Sequence, residues 1–184
     1  MKGAVFIALN ELVESQYGLE AWETLLNKVE PKCGGVYVST EDYPDTDVQL
    51  FVEEISALLQ RPSTEVTRIF GHFLFSELNT KYPIFSQQCS ELFEFLDSIE
   101  KVIHKEVRKL YDNPSLPSLT CNRISTNKLK IEYRSPRKLC YLAEGLVQGA
   151  SEHYQTPISL EHSSCMHKGD EHCCFLIQKI DNNH

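Results

Sequence analysis

The sequence predicts an α+β fold, with helices first and antiparallel strands last. Three observations carry this. Up to about Tyr111 the apolar residues recur at helical spacing. Beyond Pro117 they fall in short runs separated by polar turns. Between the two regimes lie Pro114 and Pro117, neither of which can extend a helix.

The elements follow in order. Val5, Leu9, Leu12 and Val13 define a first helix, stopped at Gly18. Ala21 to Val29, with Trp22, Leu25 and Leu26, forms a second helix ended by Pro31. A loop holding Gly34-Gly35 and Tyr43-Pro44 leads to a third helix, Val48 to Leu59, apolar at 48, 51, 52, 55, 58 and 59. Arg61-Pro62-Ser63 breaks the chain. Ser63 and Glu65 then open a fourth helix to about Leu78, with Val66, Ile69, Phe70, Phe73 and Leu74 on its apolar face. A long helix from about Gln87 to Tyr111 follows, with a central stripe of Leu92, Leu96, Ile99, Ile103 and Leu110, and Asn113-Pro114 ends it. Leu119 to Ser125 and Lys128 to Arg134 read as strands around Thr126-Asn127. Lys138 to His153 reads as a helix, and Thr156 to Ser163 with His172 to Ile180 as a hairpin turning near Lys168-Gly169-Asp170. One domain of 184 residues is expected, with a helical lobe of about 1–62 and a strand-rich lobe of about 63–184.

Composition narrows the function classes. With 41% hydrophobic and 24% charged residues the chain is ordinary globular material. A net charge of −8 argues against a nucleic-acid binder. No apolar run approaches a membrane span, and Met1-Lys2-Gly3-Ala4 does not read as a secretory signal, so a cytoplasmic protein is expected. No phosphate-binding Gly-rich loop, nucleophile elbow or paired-carboxylate motif is visible, so no enzyme activity is expected.

Cysteine and histidine placement is more telling than their number. Cys33, Cys89 and Cys121 are scattered and read as small buried hydrophobes. Cys140, Cys165, Cys173 and Cys174 lie near the C-terminus with His153, His162, His167, His172 and His184. In a reducing compartment such clustering points to a metal before a disulfide. His162 follows Cys140 by 22 residues, Cys165 follows His162 by three, and Cys173 follows Cys165 by eight. Three thiolates and an imidazole suit a closed tetrahedral zinc site. Cys174, which should face away from Cys173 along a strand, His167 and His172 are the alternative ligands.

Two further features invite a cofactor. His104 lies about a third of a turn from the apolar stripe of its helix, bordering the core, and could be an axial ligand to haem iron or a plain core-edge histidine. In Tyr133-Arg134-Ser135-Pro136-Arg137, extended chain would put Tyr133, Ser135 and Arg137 on one side, a receptor for carboxylates such as haem propionates.

A helical histidine 29 residues before Tyr-x-Ser-x-Arg, in a chain opening Met-Lys-Gly, resembles the H-NOX family of haem-nitric oxide/oxygen binding domains, related to the haem domain of soluble guanylate cyclase. The resemblance covers essentially the whole chain. It implies haem b between the lobes, His104 as the iron ligand, and Tyr133, Ser135 and Arg137 on the propionates. Pro117 would press on the porphyrin, with Val5 close to it. Oxygen-binding members carry a tyrosine nine residues after the first motif tyrosine, where this chain has Leu142. Leu74 and Leu9 are likewise apolar where those members have polar or aromatic residues. NO and CO, and not O2, are therefore the expected ligands. A subset of the family resembles this chain in having zinc at positions matching Cys140, His162, Cys165 and Cys173. By the same resemblance, NO breaks the His104–iron bond and the resulting shift regulates a separate histidine kinase or diguanylate cyclase/phosphodiesterase. A different reading starts from Cys165-x-x-x-Gly169-Asp170-x-x-Cys173, which resembles the small-molecule-binding module related to vinyl reductases. There zinc and thiolates would sense oxidants or small molecules without haem.

Overall fold

A computed structural model describes residues 1–111 and 114–180; Asn113 and His184 lie outside the described residues. The chain runs α1 (Gly3–Tyr17), α2 (Leu19–Val29), α3 (Asp45–Leu59), α4 (Ser63–Lys81), a short α5 (Ile84–Gln87), α6 (Leu92–Ser98) and α7 (His104–Leu110). Then come β1 (Ser118–Arg123), β2 (Lys128–Arg134), α8 (Cys140–His153), β3 (Ile158–Ser164) and β4 (Cys173–Lys179). The strands form one antiparallel sheet in the order β1-β2-β4-β3. The α+β class expected from the sequence is what the chain forms. Gly18 stops α1 at φ 85°, and the acids Asp45 and Asp47 sit at the positive end of the α3 dipole. Among the described residues no helix is long and apolar enough to cross a membrane.

The interior is divided. One cluster gathers Phe6, Leu9, Trp22, Leu25, Phe51, Phe70, Leu74 and Leu142. The other gathers Phe75, Leu92, Phe93, Leu96, Leu129, Ile131, Tyr133, Phe175 and Ile177. α4 and α8 serve both, because Leu74 and Leu142 face the first cluster while Phe75 and Val147 face the second. Glycines let these two helices approach closely. A Cβ added to Gly71 would lie 2.2 Å from the Leu142 carbonyl oxygen, and one on Gly145 2.1 Å from that of Arg68. Backbone cannot rotate out of the way as a side chain can, so both positions require glycine.

The single helix expected over 87–111 is instead broken. Gln88 to Glu91 turn, α6 follows, and Ile99–Ile103 form a π-helical turn in which the His104 amide bonds the Ile99 carbonyl, five residues back. A π turn inserts a residue into the 3.6 period, and this shifts the phase of everything after it. Leu110, assigned to the apolar stripe by an unbroken period, is therefore 76% exposed. His104 is buried. Cys33, Cys89 and Cys121 are half-buried, so the expectation of buried hydrophobes is corrected. Burial still pushes the Cys121 thiol up to about 12, and its sulfur bonds the Leu96 carbonyl.

Candidate functional site

His104 opens α7 directly after the π turn. Its Nδ1 lies 2.8 Å from Glu100 Oε2. Glu100 also accepts from Arg108 Nη2 at 2.6 Å and from the Leu119 amide at 3.3 Å. Burial alone would raise the Glu100 pKa; the bonds from His104 and Arg108, with the Leu119 amide, outweigh it and hold the carboxyl below its usual value. A carboxylate on Nδ1 fixes that nitrogen as the donor and leaves Nε2 as the ring's lone-pair site. Glu100 went unnoticed in the sequence reading, although its position four residues before His104 makes such a pair readable. Through Leu119 the same carboxylate reaches the start of β1, just after the half-buried Pro117.

Tyr133, the penultimate residue of β2, pairs with Cys173, and both Tyr133 and Ser135 are buried. Burial pushes the Tyr133 phenol up to about 12 despite its bonds with Ser135 and the Leu139 backbone, so it remains a proton donor at neutral pH. Arg137 reaches a different quarter of the chain. Its Nε donates to Asp45 Oδ2 at 2.9 Å, and Nη1 lies 3.7 Å from Met1 Sδ. Asp45 Oδ1 is 2.8 Å from the Met1 ammonium, which also donates to the Tyr43 carbonyl at 2.7 Å. Asp45 and the Met1 amine were missed because a contact spanning 92 residues leaves no local pattern. With Nε committed to Asp45, the outer guanidinium nitrogens, the Tyr133 phenol and Ser135 are groups that suit a carboxylate-bearing ligand.

The apolar residues singled out with them are separate from this polar end. Leu9, Leu74 and Leu142 are buried together in the first core cluster, and Val5 packs against it. Tyr141, beside Leu142, turns the other way. Its ring stacks on His167 at 5.5 Å and meets His162 edge-on at 5.7 Å. One imidazole, a carboxylate-binding end and an apolar lining match what a haem needs from a protein: an axial nitrogen, propionate partners and a hydrophobic sleeve.

The cysteine cluster is more complete. Single ligand atoms of Cys140, His162, Cys165 and Cys173 all lie within 4.8 Å of one another. Cys140 is the first residue of α8, His162 stands next to a bulge in β3, Cys165 follows β3, and Cys173 begins β4. The bulge between His162 and Ser164 re-aims the strand end. Asp170 Oδ2 accepts from the Cys165 amide at 2.7 Å and orders the turn. Cys174, His167 and His172 stay outside the set, and His167 instead bonds the Lys138 carbonyl at 2.7 Å. Burial first, and then the neighbouring thiols, raise the pKa of Cys140; burial likewise raises that of Cys173. His162 places Nδ1 on Glu144 and leaves Nε2 buried without a partner. Three crowded thiols and an orphaned buried imidazole nitrogen fit a thiophilic divalent cation.

Comparisons with known proteins point to one family. A family model described as Haem-NO-binding matches residues 2–162. A soluble guanylate cyclase of Caenorhabditis elegans, gcy-32, is 24% identical over 98% of this chain, which spans only 28% of that protein's length. The crystal structure of an H-NOX protein from S. oneidensis in the Fe(II)NO ligation state superposes with a TM-score of 0.93 at 36% identity, covering 98% of this chain and 100% of that one. The crystal structure of the Fe(II) unliganded H-NOX protein from K. algicida gives 0.87 at 28% identity, covering 100% and 99%.

Proposed function

This chain belongs to the haem-NO-binding, or H-NOX, family of haem-dependent gas sensors, which are not catalysts, and we propose that it reports nitric oxide. In this reading His104 ligates haem b iron through Nε2, and Tyr133, Ser135 and Arg137 hold the propionates. Pro117 would press on the macrocycle, with Val5, Leu74 and Leu142 to line its pocket. Val5 comes from the lobe of about 1–62 and the other residues from that of about 63–184, so this reading puts the haem between the two.

The observation that carries the choice of gas is the direction of Tyr141. The phenol closest in sequence to the expected donor position is turned to the cysteine cluster, while Leu142 joins Leu74 and Leu9 in apolar packing. Bound O2 is held by a hydrogen-bond donor, whereas NO and CO need none. Ferrous haem, held by His104, would supply the iron that takes up NO, and NO uptake would release His104. The chain's own part begins with His104. Once free, it moves with α7 while Glu100 keeps hold of Nδ1, and the Glu100–Leu119 bond carries the displacement to the Pro117 segment. A partner that binds the two arrangements with different affinity reads the signal. The family points to a separate histidine kinase or a diguanylate cyclase/phosphodiesterase. We assign zinc to Cys140, His162, Cys165 and Cys173, bracing the chain three residues beyond Arg137. Free thiols suit the reducing cytoplasm.

The test is the visible spectrum of the reduced protein. Air should give no oxygen-bound form, NO should shift the Soret band to the five-coordinate position, and His104→Gly should reproduce the partner response without NO. An oxygen-bound spectrum in air overturns the choice of gas. Failure to take up haem leaves the zinc–thiolate cluster as the sensing element.

A further inference from the structure

The zinc assignment above, on which this inference rests, leaves Glu144 and Arg68 unexplained. Glu144 lies in α8 and is buried. A buried carboxylate is tolerated only with partners that offset its lost hydration. It has two. One oxygen takes His162 Nδ1, and the other takes Arg68 Nε from α4. The Arg68 guanidinium lies over the Tyr141 ring, 4.7 Å from its centre, and the His162 ring meets Tyr141 edge-on. The imidazole also meets Phe175 edge-on at 4.8 Å. The ring of His162 thus touches two aromatic groups, its Nδ1 faces a carboxylate that can only accept, and its Nε2 is buried and unpartnered.

We propose that Glu144, clamped by Arg68, is the positioning residue that orients His162 toward the metal and fixes its tautomer. Metal-bound histidines commonly pass their second N–H to a carboxylate, which raises the basicity of the ligating nitrogen and fixes the ring. Here the carboxylate is itself pinned from another helix. Arg68 stands where α4 and α8 are closest, its carbonyl oxygen against Gly145. The metal cluster is in this way tied to the helix that carries Leu74, although none of its four ligands comes from α4.

Zinc is first quantified in wild-type protein purified without chelator; absence of zinc would overturn the zinc assignment and this inference with it. With zinc present at one per chain, affinity is measured by competition with a chromophoric chelator in wild type, Glu144→Gln, Arg68→Met and Arg68→Lys. The amide keeps the shape of Glu144 but is a weaker acceptor, so Glu144→Gln should bind zinc about 10–100-fold more weakly. Arg68→Met retains packing over Tyr141 without the charge and should fall to between wild type and Glu144→Gln. Arg68→Lys should recover most of that loss. Cobalt substituted into Glu144→Gln should show a shifted ligand-field band, which a change in general stability alone would not produce. Affinities of Glu144→Gln and Arg68→Met within twofold of wild type, with an unchanged cobalt spectrum, would overturn the proposal. Should Glu144→Gln fail to fold, Arg68→Met and its lysine rescue decide the matter.

Discussion

His104 and His162 are built alike at the ring and differently in everything around it. Each places Nδ1 on a glutamate. Glu100 lies four residues before His104 in the same helical segment, and its other partners are Arg108 and a strand amide. Glu144 and His162 come from α8 and β3, and the pair is closed by Arg68 from α4. A pair within one helix can travel as a unit, carrying its hydrogen bond along. A pair spanning three elements cannot move without separating them. The first arrangement suits a ligand that must leave its metal, and the second suits one that must stay. On the proposed function, switching would fall to the His104 wall and bracing to the cysteine cluster.

The largest expected effect breaks the brace. If free zinc stands about 1,000-fold above its dissociation constant, the bound metal contributes about 4 kcal/mol to stability. Stripping it should lower the melting temperature by roughly 8–16 °C for a chain of this size. Cys165→Ala should lose the metal and show the same fall. His104→Gly empties a buried position, breaks the Glu100 bond and adds glycine's helix cost, so it should lose about 2 kcal/mol while keeping one zinc per chain. Calorimetry with metal analysis checks both. Equal losses for the two variants would end the division of labour.

A second perturbation acts at the α4–α8 contact beside Arg68. Gly145→Ala places a methyl 2.1 Å from the Arg68 carbonyl oxygen and 2.8 Å from Gly71 Cα. Overpacking of this kind costs about 1–3 kcal/mol. Because the clash pushes α4 off α8 at Arg68, zinc affinity should fall along with stability. Chelator competition read beside denaturant unfolding tests this. A variant that is less stable but binds zinc like wild type would place the α4 link outside the metal's support.

What was legible in the sequence follows the same contrast between local and distant contacts. Gly18, the apolar periods of α1 to α4 and the two hairpins could be read because each depends on neighbours in the chain. The four members of the cysteine cluster were legible too, since thiols and imidazoles crowd one stretch of chain and strand alternation sets Cys174 apart from Cys173. The π turn was not. Its inserted residue satisfies the same apolar composition as a straight helix, and so Leu110 was put on the wrong side. Nor were Asp45 beside Arg137 or Arg68 beside Glu144, where a charge pair forms only after the elements have packed. Gly71 and Gly145 look like weak points in helices until the helix opposite is known.

The smallest effect probes the movable pair itself. Glu100 has a folded pKa below its ordinary value, so its stabilising contribution is present above the unfolded pKa of about 4.5 and is lost as pH falls through the folded one. The carboxylate is partly exposed, and solvent screening keeps its contribution under about 1 kcal/mol. Glu100→Gln should therefore be slightly less stable than wild type at pH 7, and the gap should close at pH values below the folded pKa. Urea midpoints measured between pH 3 and 7 give the comparison. A gap that persists unchanged into acid would mean that Glu100 acts by shape and not by charge. His104 would then keep its orientation from the π turn alone, and the carboxylate would have no part in carrying its motion to Leu119.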